Sequence, residues 1–264
     1  VSLFQQQKLL SLRLQNVQKL SALYQKRLST GDANILETNK IELELYNIKT
    51  QMRLIETERN NKLKELQTLN GNLPIGEELT DYSPVDFPEN FEIYSQEAIA
   101  ADPELRSLEN ELKVARKNIS LSKSLWFPKF EIGYIREMEP TDKYNGISFG
   151  ISIPLFENRN KIKQAKALSG YTQMQIENTR LQSLSTLRQL YDQATNLKVS
   201  MQEYNKLLQS QKTLSLLNKA LENGQLSMIE YFIEANQVYE SMQNYLQLEN
   251  QYQQIVSQMY RYKL

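Results

Sequence analysis

The sequence of 264 residues contains no cysteine and no histidine. The chain therefore cannot form a disulfide, use a thiolate nucleophile or an imidazole base, or offer the ligands that zinc takes most often. No other pairing of a nucleophile with a base is apparent, and no glycine-rich loop is suited to cradling phosphate. We therefore predict a protein that is not an enzyme, with no catalytic site, no cofactor and no metal site.

Net charge and long apolar runs are also missing. The 31 basic and 31 acidic residues cancel, so the chain lacks the basic footprint of a nucleic-acid-binding protein. No run of about 18 apolar residues occurs, which argues against a transmembrane helix. The first residues, VSLFQQQKLL, show no signal peptide.

Glycine and proline are scarce, with 8 and 7 residues, and the mean hydropathy of −0.57 suits long helices better than a compact core. From Glu157 to Glu222 there is no proline and one internal glycine, Gly170. This span predicts a single helix of roughly 100 Å at about 1.5 Å per residue. Its apolar seam repeats at 3-4 spacing, as in a helix packed lengthwise on neighbours: Leu187, Leu190, Ala194, Leu197, Met201, Tyr204 and Leu208.

The rest of the chain divides around this rod. Residues 1–71 read as a helical hairpin, with helices Val1–Leu28 and Ile35–Leu69 running antiparallel around the turn STGDAN. Residues 72–101 form a proline-containing connector that ends in a short helix. Residues 102–264 begin with an approach helix, capped by Asp102 and Pro103, and continue with a β-hairpin at 129–154, the long helix at 157–222 and a return helix at 227–262.

The apolar residues of the preceding helix repeat about every 3.6 residues, whereas those within 129–154 repeat every second residue, which indicates two strands. Glu131, Ser148 and Ser152 alternate with a larger apolar set: Phe130, Ile132, Tyr134, Ile147, Phe149, Ile151 and Ile153. Each strand is long enough to cross a bilayer when tilted. An ordinary hairpin that packs one face on helices would show the same alternation.

The two helix-turn-helix ends form an internal repeat. RLSTGDANILE around Gly31 aligns with ALENGQLSMIE around Gly224, and this offset pairs Asn34 with Ser227 and Glu37 with Glu230. With the same offset, residue 1 aligns with a position in the middle of the long helix of the second repeat. We therefore expect an N-terminally truncated chain, with residues 1–71 a partial first repeat and residues 102–264 a complete second one.

These features together resemble the TolC-like outer-membrane efflux factors of Gram-negative bacteria. The likeness is carried by DPELRSLENELKVARKNISLSKSLWFPKFEIGY from Asp102, by GISFGISIPLFENRNKIKQAKA from Gly146, and by the ends GDANILE and GQLSMIE. The resemblance implies a mainly α fold of very long antiparallel coiled-coil helices with one β-hairpin. Such a chain is a protomer of an α-barrel and β-barrel channel, here with an incomplete first half.

The resemblance also implies a function and partners. Three chains form an outer-membrane duct that extends into the periplasm, and a periplasmic adaptor couples it to an inner-membrane pump. The apolar strand residues would then face lipid and the alternating polar ones the lumen. The adaptor would meet the two tips at Gly31, Asp32, Asn34, Gly224, Gln225 and Ser227.

The solute remains open. The strand-flanking motif and the connector GNLPI are similar to those of the cation-efflux branch, so small solutes or metal cations are the expected cargo. Near the tips lie four carboxylates that would form either a cation-attracting constriction or a solvated helix face: Asp32, Glu37, Glu222 and Glu230. A different class of protein, a soluble periplasmic helical bundle with a structural or adaptor role, is the alternative.

Overall fold

The computed structural model describes residues 1–75, 80–138, 143–156, 158–210 and 213–263. Seven helices and two strands are assigned in this part of the chain. In chain order they are α1 (Ser2–Thr30), α2 (Ile35–Leu69), α3 (Phe91–Ala101), α4 (Pro103–Ser124), β1 (Lys129–Met138), β2 (Lys143–Ser152), α5 (Lys161–Ser210), α6 (Thr213–Glu222) and α7 (Met228–Met259), followed by a 3₁₀ turn at Arg261–Lys263. The mainly α fold with one β-hairpin is confirmed.

The chain forms two compact units. Unit 1 contains Val1–Phe87 and Leu190–Met259, and unit 2 contains Pro88–Gln189 and Tyr260–Leu264. None of the helices in the described ranges combines the length and the apolar composition needed to cross a membrane.

Unit 1 is held together by a core between α1, α2, α6 and α7. Its buried residues fall on the inward faces of these helices, as the 3-4 spacing predicts. They are Val17, Leu20, Tyr24, Ile41, Ile48, Leu217, Leu221, Met228, Tyr231, Ala235 and Tyr239. The hydroxyl of Tyr231 donates a hydrogen bond of 2.8 Å to Asn218 Oδ1, which satisfies the polar end of this buried ring.

A polar contact crosses this core. The Arg13 guanidinium on α1 pairs with Glu44 on α2 and donates a 2.8 Å hydrogen bond to Asn236 Oδ1 on α7. Arg13 also lies 5.2 Å from the centroid of the Tyr239 ring, whose hydroxyl accepts a 2.7 Å bond from Asn16 Nδ2. One arginine therefore bonds to side chains of two other helices, which favours a single register among the three.

Unit 2 contains α3, α4, the strand pair and the first part of α5. Asp102 ends α3 and caps α4, because its Oδ1 accepts the Glu104 N–H at 2.9 Å, while Oδ2 accepts the Ser183 hydroxyl of α5 at 3.2 Å. Tyr94 of α3 packs against the rings of Tyr260 and Tyr262 at centroid distances of 6.0 and 6.1 Å. The cap at Asp102 and the short helix at Phe91–Ala101 agree with the sequence prediction.

β1 and β2 pair antiparallel in a two-stranded sheet. The register sets Lys129 opposite Ser152 and continues without a bulge to Met138 opposite Lys143. In the segment EPTDKYN between the apolar parts of the two strands, residues 139–142 lie outside the described residues, and Lys143, Tyr144 and Asn145 belong to β2.

The predicted helix boundaries differ from the structure at several ends, including α1, which continues to Thr30 instead of ending at Leu28, and the differences at the start of α5 and the end of α7 are larger. The long helix begins at Lys161, not at Glu157, because Asn160 has a φ of 66° that a helix does not accept and the Asn158 amide turns back to donate to the Leu125 carbonyl. The return helix ends at Met259 rather than at residue 262. Whether the rod is continuous between α5 and α6 depends on residues 211 and 212, which lie outside the described part of the chain.

Candidate functional sites at the helical tips and the strand pair

The first tip, at the end of α1, owes its shape to Gly31. This residue has a φ of 81°, in the left-handed region where a side chain is disfavoured. Its N–H bonds to the Leu28 carbonyl at 3.2 Å, and the Asp32 N–H reaches the Arg27 carbonyl at 2.8 Å. This pair of bonds is the Schellman motif, which satisfies the last carbonyls of a helix.

The second tip, at the end of α6, repeats the same bonds 193 residues later. Gly224 has a φ of 69°, its N–H bonds to Leu221 O at 3.1 Å, and the Gln225 N–H reaches Ala220 O at 2.8 Å. The offset found in the sequence therefore matches the two tips bond for bond.

The helices that leave the tips also begin alike. At α2, the Asn34 side chain accepts the Leu36 N–H at 3.1 Å, and the Glu37 carboxylate accepts the Asn34 N–H at 2.9 Å. At α7, the Ser227 hydroxyl accepts the Glu230 N–H at 3.2 Å and Glu230 accepts the Ser227 N–H at 2.8 Å. Both starts are capping boxes, so two of the four carboxylates predicted near a constriction stabilise helix ends.

The hydrogen bond from Ser227 has an electrostatic consequence. The backbone N–H and hydroxyl of Ser227 lower the pKa of Glu230 below its ordinary value of 4.5, because they stabilise the charged carboxylate. Of the other two carboxylates, Asp32 accepts the Thr30 hydroxyl at 2.8 Å, and Glu222 joins the tips through its backbone carbonyl, which accepts Arg27 Nη2 at 3.3 Å. Their part in a constriction stays a prediction.

All six predicted contact residues of the tips are exposed: Gly31, Asp32, Asn34, Gly224, Gln225 and Ser227. Sequence reasoning missed the apolar side chains beside them. Leu36 is 65% exposed and Ile229, which the repeat aligns with it, is 54% exposed. Residues that the repeat aligns are not always buried to the same extent. Ile35 is 55% exposed, whereas its counterpart Met228 is 1% exposed.

In the strand pair, the predicted apolar set lies on one face. The register sets Phe130 opposite Ile151, Ile132 opposite Phe149, and Tyr134 opposite Ile147. These six side chains and Ile153 are 64–77% exposed. No other described part of the chain covers this face.

The opposite face of the strand pair is mostly small and polar, with the exposed Ile135, which lies opposite Gly146, as a large apolar exception. Glu131, Ser148 and Ser152 fall on it by the pleat, with Gly133 and Gly150 between them. A Cβ at Gly133 would lie 2.7 Å from Ser148 Oγ, so this hydroxyl, which donates to the Gly133 carbonyl at 3.3 Å, would have to rotate away. Four exposed apolar residues that the sequence analysis had not included in the face flank the strands: Trp126, Phe127, Leu155 and Phe156.

Within the described ranges, no three acidic residues come close enough together to hold a metal ion. No curated protein sequence matches the chain. The family model described as "Outer membrane efflux protein" matches residues 94–262, more than half of the sequence.

Solved structures share the fold at low sequence identity. CusC, whose structure is described in terms of folding and transmembrane channel formation, has 17% identity and a TM-score of 0.84 over 99% of this chain and 64% of its own. The outer membrane protein VceC of Vibrio cholerae has 12% identity and a TM-score of 0.82, covering 99% of this chain and 66% of its own. The outer membrane channel CmeC of Campylobacter jejuni has 13% identity and a TM-score of 0.73, covering 99% of this chain and 59% of its own. The chain thus spans less than two thirds of the length of each of these structures.

Proposed function

Because the chain belongs to the outer membrane efflux protein family, we propose that it acts as the channel component of a tripartite efflux system. In this role it is a passive duct for export of small solutes or metal cations, in the outer membrane and periplasm of a Gram-negative bacterium. The observation that carries the proposal is the strand pair, whose apolar face is open over its whole length.

An uncovered face of seven large apolar side chains requires a partner. Soluble monomers rarely leave a contiguous apolar patch larger than a few hundred Å² uncovered. Lipid covers such a face when the strands join a closed sheet with polar side chains on the inner side, and the faces of β1 and β2 alternate in that way. The soluble helical bundle predicted as the alternative leaves this face without cover and is not favoured.

A homotrimer is the proposed assembly, and α2 supplies an observation in its support. Leu43 and Leu54 are separated by 11 residues, which places them along one face of the helix, and both are more than 60% exposed. A neighbouring subunit packed along this stripe would remove them from water.

The tips are proposed to contact a periplasmic adaptor coupled to an inner-membrane pump. Leu36 and Ile229 add an apolar contact to each tip, next to backbone that the Schellman motifs hold rigid. The matched bonds of the two tips also support the proposal that the chain contains two repeats. Splaying of the tips on docking would open the duct.

The proposal is tested on the full-length protein extracted in mild detergent. We expect a membrane-associated oligomer with three times the mass of the chain, which converts to monomer only on heating, because closed strand barrels resist detergent. A protein found only as a monomer in the soluble fraction would overturn the duct.

The tip contact has a separate test. Leu36→Arg and Ile229→Arg should each weaken binding of the cognate adaptor at least about tenfold, since each places a charge in a buried apolar contact. The matched control is Gln51→Arg, an exposed site on α2 about 22 Å from Leu36 along the helix. Equal adaptor affinity in all three variants would rule out docking at these tips.

A further inference from the structure

The second half of α7 has an exposed face made of glutamines. Between Glu240 and Arg261 the only charged residue is Glu249, although 23% of the whole chain is charged. Five glutamines follow one another at spacings of 4, 4, 3 and 4 residues, which places them on one face of the helix. They are Gln243, Gln247, Gln251, Gln254 and Gln258, and all five are exposed.

Polar side chains of α5 lie beside the glutamine face of α7. Gln193 and Asn196 line a groove with three of the α7 glutamines, while Leu197 and Ile255 make its apolar part. The open groove has a volume of about 420 Å³, and its lining contains no charged side chain: Gln193, Asn196, Leu197, Gln251, Gln254, Ile255 and Gln258. We call these residues the amide groove.

The other side of the same helix pair is occupied by Phe87 of the connector. Its ring lies 5.1 Å from that of Tyr191 on α5 and 6.4 Å from that of Tyr252 on α7. Lys198 extends its ammonium group over the Phe87 ring at 5.1 Å. At about 100° per residue, Tyr191 and Gln193 point to opposite sides of α5, so the connector and the amide groove lie on opposite faces of the α5–α7 pair.

We propose that the amide groove faces the water-filled lumen and forms an uncharged stretch of its wall, an inference that rests on the proposed duct. If the connector side faced inward, Phe87 and its neighbours would occupy the path, whereas the amide face is unobstructed. Amides hydrogen-bond to water and solutes without attracting or repelling ions. Rings of charged side chains give pores their charge selectivity, so this stretch passes hydrated ions of either sign and uncharged polar solutes alike.

These 264 residues contain no cysteine, so an introduced thiol is the only one among them, and the unsubstituted full-length protein treated with the same reagents gives the background. Gln254→Cys is placed in the amide groove, and Val85→Cys is the matched control at an exposed site in the connector, two residues from Phe87. Channels of each full-length variant in planar bilayers are treated with a positively or a negatively charged methanethiosulfonate. Mass spectrometry measures the extent of labelling.

We expect labelled Gln254→Cys to shift the cation-to-anion permeability ratio by about twofold or more, in opposite directions for the two reagents. Labelled Val85→Cys should leave both the ratio and the conductance unchanged. A response at Val85→Cys alone, a response at neither position, or a Gln254→Cys that cannot be labelled would each overturn the lumen assignment. Failure of the unsubstituted protein to conduct would instead contradict the duct itself.

Discussion

Apolar side chains are buried in the helical core of unit 1 but exposed in the strand pair of unit 2. In unit 1, Ile41, Ile48 and Met228 are each 1% exposed, because four helices of the same chain close over them. In the strand pair, seven aliphatic and aromatic side chains of similar size stay at least 64% exposed. The side chains of the core are buried by their own chain, whereas those of the strand face can be buried only by a partner outside the chain.

The difference separates what stabilises the fold from what serves the function. Burial in the helical core explains why the tips stay paired, and it needs no partner. The side chains of the open strand face touch one another across the two strands but are not buried within the chain, so the alternation from Phe130 to Tyr134 and from Ile147 to Ile151 points to an external cause. Lipid is the cover proposed above, and substitutions in the two regions should therefore affect different measurements.

The largest expected effect is in the strand pair. Ile132→Arg combined with Phe149→Arg places two charges at directly opposed positions of the apolar face. Each arginine costs about 2–4 kcal/mol near the middle of a bilayer, so we expect the full-length protein to lose its heat-sensitive oligomer and its place in the membrane fraction. Helical content by circular dichroism should stay the same.

The matched control is Glu131→Arg with Ser152→Arg, which adds the same two arginines to the polar face of the same strands. This variant should insert and assemble normally. Equal loss of membrane insertion in both double variants would mean that the two faces of the strand pair do not differ in their surroundings.

A smaller effect is expected in the helical core. Ile48→Ala should lower the free energy of unfolding by about 2–4 kcal/mol, since it leaves a cavity among buried side chains. Leu43→Ala, on the same helix but 63% exposed, should change it by less than about 0.5 kcal/mol in the monomer. Urea unfolding followed by circular dichroism measures both.

Unfolding of Ile48→Ala and Leu43→Ala is measured at protein concentrations that favour the monomer and at ones that favour the oligomer. A loss at Leu43→Ala that appears only in the oligomer would identify the exposed stripe of α2 as a subunit contact. A loss as large as that of Ile48→Ala in the monomer would show that α2 has a second buried face, contrary to the structure.

Local chemistry made much of this architecture predictable. The turns at Gly31 and Gly224, the cap at Asp102 and the alternation of the strands each depend on residues close together in sequence, and each was predicted. The start of α5 was missed because it depends on a distant contact, between Asn158 and the Leu125 carbonyl. The amide groove was missed for another reason. Helix faces were predicted from the spacing of apolar residues, and glutamines at helical spacing do not contribute to that pattern.

The next effect concerns the polar contact inside the core. Arg13→Met should destabilise unit 1 by about 2 kcal/mol, because it leaves the Glu44 carboxylate, whose side chain is 16% exposed, without its cation. Arg13→Met combined with Glu44→Leu should recover most of this loss, since no buried charge remains. Urea unfolding of Arg13→Met, of Glu44→Leu alone and of the double variant measures this coupling, and a double variant as unstable as the sum of the two single variants would mean that the ion pair adds none.

The smallest effect is at the second tip, where a side chain is fully exposed and yet fixed. The Ser227 N–H lowers the pKa of Glu230, so its charged form favours the folded cap above the ordinary glutamate pKa of 4.5, and this contribution is lost as the pH falls through the lowered value. Glu230→Gln should therefore show a smaller drop in melting temperature between neutral and acid pH than the unsubstituted protein. Glu234→Gln, exposed one turn later on α7, is the control that removes a carboxylate outside the capping box. If both variants lose the same acid sensitivity, net charge is responsible, and the cap contributes nothing that depends on pH.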